Sequence, residues 1–166
     1  YGDLADAFLR LYPASDYHES ILATTRDALY GWTAERLVRS QTAAGRPSYL
    51  YLFDHGYPAA DDAGLHAFHA AELPYVFGNL ERTPPDWPKI PATDGERALS
   101  DTLLDFWASF ARGEQPSSRS GRLWPAYGNE ANYLLIGDQA EPGQGLMPGM
   151  FALNEAVVCR RRAAGG

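Results

Sequence analysis

Gly64-Leu65-His66-Ala67-Phe68-His69-Ala70-Ala71-Glu72-Leu73-Pro74-Tyr75-Val76-Phe77-Gly78 is the stretch on which the reading of this chain turns. It holds two of the four histidines, a carboxylate three residues past the second, and an aromatic-rich exit. Upstream stands Tyr49-Leu50-Tyr51-Leu52-Phe53, high in strand propensity and apolar on both faces. Such a strand belongs in a parallel sheet covered by helices. A loop rich in Asp, Gly, Ala and Pro joins the two segments. Only Asn132-Tyr133-Leu134-Leu135-Ile136 resembles this strand elsewhere. Two strands do not make a parallel sheet, so the rest of the sheet is expected outside this sequence.

Working outward, helical periodicity dominates. Leu4, Phe8, Leu11 and Tyr12 recur at helical spacing until Pro13. A second helix is predicted over residues 16–30, with Ile21, Leu22, Thr25 and Leu29 on one face and Gly31 breaking it. A third covers 33–44, with Leu37 and Val38 inward and Gly45 as its C-cap. The clearest helix follows Pro91. There Thr93 and Glu96 stand in capping-box spacing, and Leu99, Leu103, Phe106, Trp107 and Phe110 form a wide apolar stripe read as core. A last helix runs from Met150 to about Arg161.

The totals bound the function. With 166 residues, 45% of them hydrophobic and 13% aromatic, the chain reads as globular. A net charge of −7 leaves no basic stripe for nucleic acid. Arg160-Arg161-Arg162 reads as a solvated end. No apolar run approaches the roughly 18 residues of a membrane span. One cysteine, Cys159, excludes an internal disulfide and is expected to pack as a small hydrophobe. His18 and His55 have no partner in sequence and read as surface residues. Asp27 reads as a buried, hydrogen-bonded structural acid. His66, His69 and Glu72 recur every third residue. On a helix they could offer three metal ligands along one edge, but the same spacing also suits a structural pair or a catalytic histidine.

Four segments together resemble the C-terminal third of the type-B carboxylesterase family, which includes the cholinesterases. Tyr49-Leu50-Tyr51-Leu52-Phe53 is similar to the family's last central strand. Phe68-His69-Ala70-Ala71-Glu72-Leu73-Pro74-Tyr75-Val76-Phe77-Gly78 is similar to its His-Gly-x-Glu segment with the Phe-Val-Phe-Gly ending. Phe106-Trp107-Ala108-Ser109-Phe110-Ala111-Arg112-Gly113-Glu114-Gln115-Pro116 resembles its Trp-x-x-Phe-Ala-x-x-Gly-x-Pro helix end, and Trp124-Pro125-Ala126-Tyr127 its Trp-Pro-x-Tyr. The resemblance implies an α/β class: the C-terminal third of an α/β-hydrolase fold, mostly helical with one central-sheet strand and one short strand, incomplete by itself. Residues 1–166 would form the C-terminal portion of one such domain.

Carried over, His69 matches the triad histidine, which takes the proton from a nucleophilic serine and returns it to the leaving alcohol. Glu72 would support it from behind or sit at a helix N-terminus. His66 and Phe68 would support or line the pocket, and Tyr75 would be a wall residue at most. Neither a cofactor nor a metal is implied. Ala70 departs from the family's usual glycine; if that glycine serves a positive φ, alanine costs something.

The other triad members are not readable. No Gly-x-Ser-x-Gly occurs, and the nine serines lie in unrelated contexts. No internal Gly-Gly loop offers oxyanion-hole amides. In the family the acid lies farther upstream than the 68 residues preceding His69 here. The expected partners are therefore an N-terminal segment of the same enzyme carrying the nucleophile, and a small-molecule ester, with neither nucleic acid nor membrane. The opening Tyr1-Gly2-Asp3-Leu4 reads as the middle of something longer, and the isolated chain is expected to be inactive.

Overall fold

The two apolar runs become neighbouring strands. In the computed structural model, which describes residues 1–164, β1 (Tyr51–Phe53) pairs parallel with β2 (Asn132–Ile136). Tyr51 lies opposite Leu134 and Phe53 opposite Ile136, so these four side chains share a face, while Leu52 and Leu135 share the other. Pairing begins two residues later than the apolar run suggests. The Leu50 carbonyl still accepts hydrogen bonds from the Leu134 amide (2.9 Å) and the Trp124 indole (3.0 Å).

A third strand, β3 (Ala140–Gln144), runs antiparallel to β2 and was not predicted. Its Ala-Glu-Pro-Gly-Gln sequence has little strand propensity, but it lies on the sheet edge, where Pro142 is tolerated. A Cβ at Gly143 would stand 2.7 Å from Cζ of Tyr133, so the ring would have to shift to admit any larger residue. The sheet order is β1-β2-β3, and among the described residues β1 has no strand along its other edge.

One face of this sheet carries the core. The short helix α5 (Leu73–Val76) and the long α6 (Asp94–Ala111) bring Tyr75, Val76, Leu99, Leu103 and Phe106 against Leu134, Ile136 and Ala140. Trp124 closes the cluster, its rings against Tyr49, Tyr51, Phe106 and Trp107. Tyr127 of the same motif is also buried, so Trp-Pro-Ala-Tyr is a packing element. The helical stripe splits. Leu103 and Phe106 are fully buried and Trp107 partly so, but Phe110 is 55% exposed. On the last turn of α6 its ring meets Tyr49 edge-on at 5.8 Å and otherwise faces solvent, correcting its reading as core.

Residues 49–144 form one compact unit; residues 1–48 with those from 145 onward form the other. In the second unit α1 (Ala5–Leu11), α2 (Tyr17–Arg26), α3 (Trp32–Ala43) and α7 (Met150–Ala164) follow the predicted periodicity. Gly31 does not break the chain between α2 and α3. A π-helical turn, Asp27–Gly31, carries one helix into the next, and a Cβ at Gly31 would stand 3.3 Å from the Met150 methyl. Asp27 is buried as expected, accepting from the Tyr12 hydroxyl (2.9 Å) and pairing with Arg26 (2.7 Å). Burial, then that hydrogen bond, pushes the Tyr12 phenol well above its ordinary pKa.

Five side chains in this unit differ from expectation. Val38 is buried but Leu37 is 61% exposed, because neighbouring helical positions point about 100° apart and one face packs. Ile21, Leu22 and Leu29 of the second predicted helix face outward. Cys159 is exposed on α7 and does not act as a core hydrophobe. Gly45 caps α3 with φ +73°, and Arg160 is held by Asp3. No helix among the described residues is long and apolar enough to cross a membrane.

Candidate active-site loop

The loop begins where β1 ends. Asp54 extends the ladder by one bond, its amide donating to the Ile136 carbonyl (2.8 Å). His55 follows, and contrary to its reading as a surface residue it is 6% exposed. Its ring lies edge-on to Phe53 and Tyr75. Its Nε2 sits 2.9 Å from Oε2 of Glu96; since a carboxylate only accepts, Nε2 carries the donated hydrogen. Nδ1 lies 3.2 Å from Oδ1 of the exposed Asp138 but out of hydrogen-bonding alignment, and it has no hydrogen-bond partner among the described residues.

Glu96 was legible only as half of a capping box. The Thr93 hydroxyl does accept from the Glu96 amide (3.3 Å). The carboxylate turns instead to His55 and to the Tyr75 hydroxyl, which donates to the same Oε2 at 2.7 Å. Burial first, then this hydrogen bond, drives the Tyr75 phenol far above its ordinary pKa. Tyr57, 1% exposed, donates to the Pro88 carbonyl (2.9 Å), and burial raises its pKa as well.

From Tyr57 the loop runs through α4 (Pro58–Asp62) to the two histidines. His66 is exposed, adopts φ +48°, and pairs with Asp61 (2.9 Å). Phe68 is half-buried, its ring edge-on to Trp87 at 4.9 Å. His69 follows on a tight turn closed by the Ala71 amide donating to the Phe68 carbonyl (3.1 Å), and it is exposed. Ala70 adopts φ +68°, a left-handed conformation that strains any residue with a Cβ. Ala71, Pro74, Tyr75 and Val76 are buried. The turn therefore lifts one imidazole outward while the residues behind it enter the core.

Glu72 precedes α5 as its N-cap residue, but its side chain makes no capping bond. It faces Tyr51 instead, whose phenol is raised by burial first and then by the charge of Glu72 and a hydrogen bond to it. Beside it an apolar groove is lined by Tyr51, Leu73, Val76, Phe77, Leu104 and Trp107. Residues 66–72 form bends and turns, so the helical edge needed for three ligands is not formed. Among the described residues no group of three or more His, Cys, Asp or Glu side chains could hold a metal ion.

Seven of the nine serines have side-chain partners elsewhere. Ser20, Ser40, Ser48, Ser100 and Ser109 each donate to a backbone carbonyl, and Ser118 pairs with Ser120.

The model of the carboxylesterase family matches residues 12–151. Over 135 residues the chain is 36% identical to the para-nitrobenzyl esterase of Bacillus subtilis, covering 81% of this chain and 26% of that protein. It is 30% identical over 142 residues to carboxylesterase 5A of Felis catus, covering 84% and 26%. A solved PNB esterase superposes with a TM-score of 0.72 at 30% identity, covering 91% of this chain and 30% of that chain. A Geobacillus stearothermophilus carboxylesterase gives 0.71 at 25%, covering 89% and 31%. Both neighbours are α/β-hydrolases, and the small sheet with its covering helices is part of that fold. The chain spans about a quarter of the length of the curated relatives it matches.

Proposed function

We propose, from the premise that this chain belongs to the carboxylesterase family, that it is the part of a serine carboxylic ester hydrolase that supplies the general base, His69. Residues 1–166 would be the C-terminal portion of one α/β-hydrolase domain. The nucleophilic serine, the triad acid and the oxyanion hole would come from a segment N-terminal to it in the same protein. The observation that carries this reading is the turn at 68–71, which exposes His69 on the loop that follows β1 and anchors it through the buried residues behind it. The open edge of β1 supports a further strand lying against it.

In this mechanism His69 takes the serine proton as the hydroxyl attacks the ester carbonyl, then delivers it to the departing alcohol. It next takes a proton from the water that attacks the acyl carbon and returns it to the serine oxygen as the acid leaves. Glu72 and Phe68 hold the turn from behind, and His66 stands at its rim.

The test uses the full-length protein and p-nitrophenyl acetate. His69→Ala should lower kcat by about three orders of magnitude or more, as loss of a triad member does. His66→Ala should stay within about tenfold, because it only lines or supports the site. Equal losses, or the reverse order, would shift the catalytic assignment to His66. The 166 residues alone should hydrolyse the ester no faster than free imidazole does, lacking nucleophile and oxyanion hole.

A further inference from the structure

We infer that Glu96 is a positioning residue: one oxygen of its carboxylate closes both ends of the loop that carries His69, and so sets where that imidazole stands. This rests on the reading of His69 as the base. At the outgoing end, His55 donates to Oε2 of Glu96 at 2.9 Å. At the returning end, the Tyr75 hydroxyl donates to the same Oε2 at 2.7 Å. Residues 56–74, with both histidines of the loop, are thus closed at the mouth by a single atom of α6.

That atom is itself well fixed. His55 and Glu96 are 6% and 7% exposed and Tyr75 is fully buried, so the two bonds are little screened by water. Both are made to a carboxylate acceptor, the stronger class of hydrogen bond. Glu96 lies in the first turn of α6, where the helix dipole favours a negative charge, and Thr93 caps its amide. One helical turn on, Ser100 donates to the Tyr75 carbonyl (2.9 Å), a second strap on the returning end. The outgoing end has its own strap, the Asp54 amide on Ile136. Without the carboxylate, two buried donors lose their acceptor, and the ends of the loop are free to part.

The tests are steady-state kinetics of the full-length protein with p-nitrophenyl acetate, well below each variant's Tm. Glu96→Ala should lower kcat by about ten- to a hundredfold with KM within about threefold, the size expected when a reacting group is misplaced by about 1 Å. Glu96→Gln, which keeps one accepting oxygen, should fall between native and Glu96→Ala. Tyr75→Phe removes one donor with little change in shape and should cost about three- to tenfold; it serves if Glu96→Ala does not fold. The decisive readout is the pair: in a His69→Ala background, neither Glu96→Ala nor Tyr75→Phe should lower the residual rate further. An unchanged kcat in folded Glu96→Ala or Tyr75→Phe overturns the inference. So does an equal loss in the His69→Ala background, which marks a purely structural role. If His69→Ala itself costs nothing, the reading of His69 fails first and takes this inference with it.

Discussion

Two histidines, one at each end of the same loop, have opposite surroundings. His55 is buried, edge-on to two aromatic rings, and gives its Nε2 hydrogen to a carboxylate in its own unit. His69 is exposed on a turn whose next residue, Ala70, has a left-handed backbone. By hydrogen bonding and burial alone, His55–Glu96 looks more like a histidine–carboxylate pair of a catalytic triad. It has no open face from which to reach a substrate, since its remaining nitrogen lies beside Asp138 without aligning on it and the ring is covered. Burial beside Glu96 suits a histidine that holds structure; exposure on a strained, well-anchored turn suits the role proposed for His69.

This contrast predicts separable losses. His69→Ala should remove about three or more orders of magnitude of kcat in the full-length protein while leaving Tm nearly unchanged, since an exposed side chain contributes little to packing. His55→Ala should act first on stability, costing about 2–4 kcal/mol in denaturant titration because it strands a buried carboxylate, and should lower kcat only about three- to tenfold, as expected for loss of one of the two donors to Glu96. A His55→Ala protein as stable as the native one would erase the distinction.

Ala70→Gly sharpens the strained side of the comparison. Relief of the left-handed backbone, less the extra freedom of glycine in the unfolded chain, should stabilise the protein by about 0.5–1 kcal/mol with kcat nearly unchanged. The smallest effect belongs to Asp138→Asn. Its carboxylate is almost fully exposed and misaligned with His55 Nδ1, so stability should move by less than about 0.5 kcal/mol. A larger change would make Asp138 a true partner of His55.

What the sequence disclosed follows the range of the interactions concerned. Local patterns were readable: the period of α6 with its Thr93 cap, the apolar runs at 49–53 and 132–136, and the Gly45 cap. The turn around His69 was legible through resemblance, and the departure at Ala70 pointed to the positive φ found there. β3 was missed because Ala140-Glu141-Pro142-Gly143-Gln144 has no strand propensity of its own; β2 imposes its conformation. His55 was misplaced because its partner is 41 residues away and no spacing encodes that meeting. The one available signal was its position two residues past an apolar strand, where an imidazole enters the core or leaves it according to what the opposite helix offers. Gly31 was misread as a break because its need, room for Met150, comes from a distant helix.

The most direct measurement is covalent labelling of the full-length protein with a fluorophosphonate, located by mass spectrometry and timed for the native protein and for His69→Ala. One adduct is expected, on a serine outside residues 1–166, forming about a thousandfold more slowly on the variant. An adduct on any of the nine serines of this chain, or an undiminished rate on the variant, would contradict the assignment of His69 as the base.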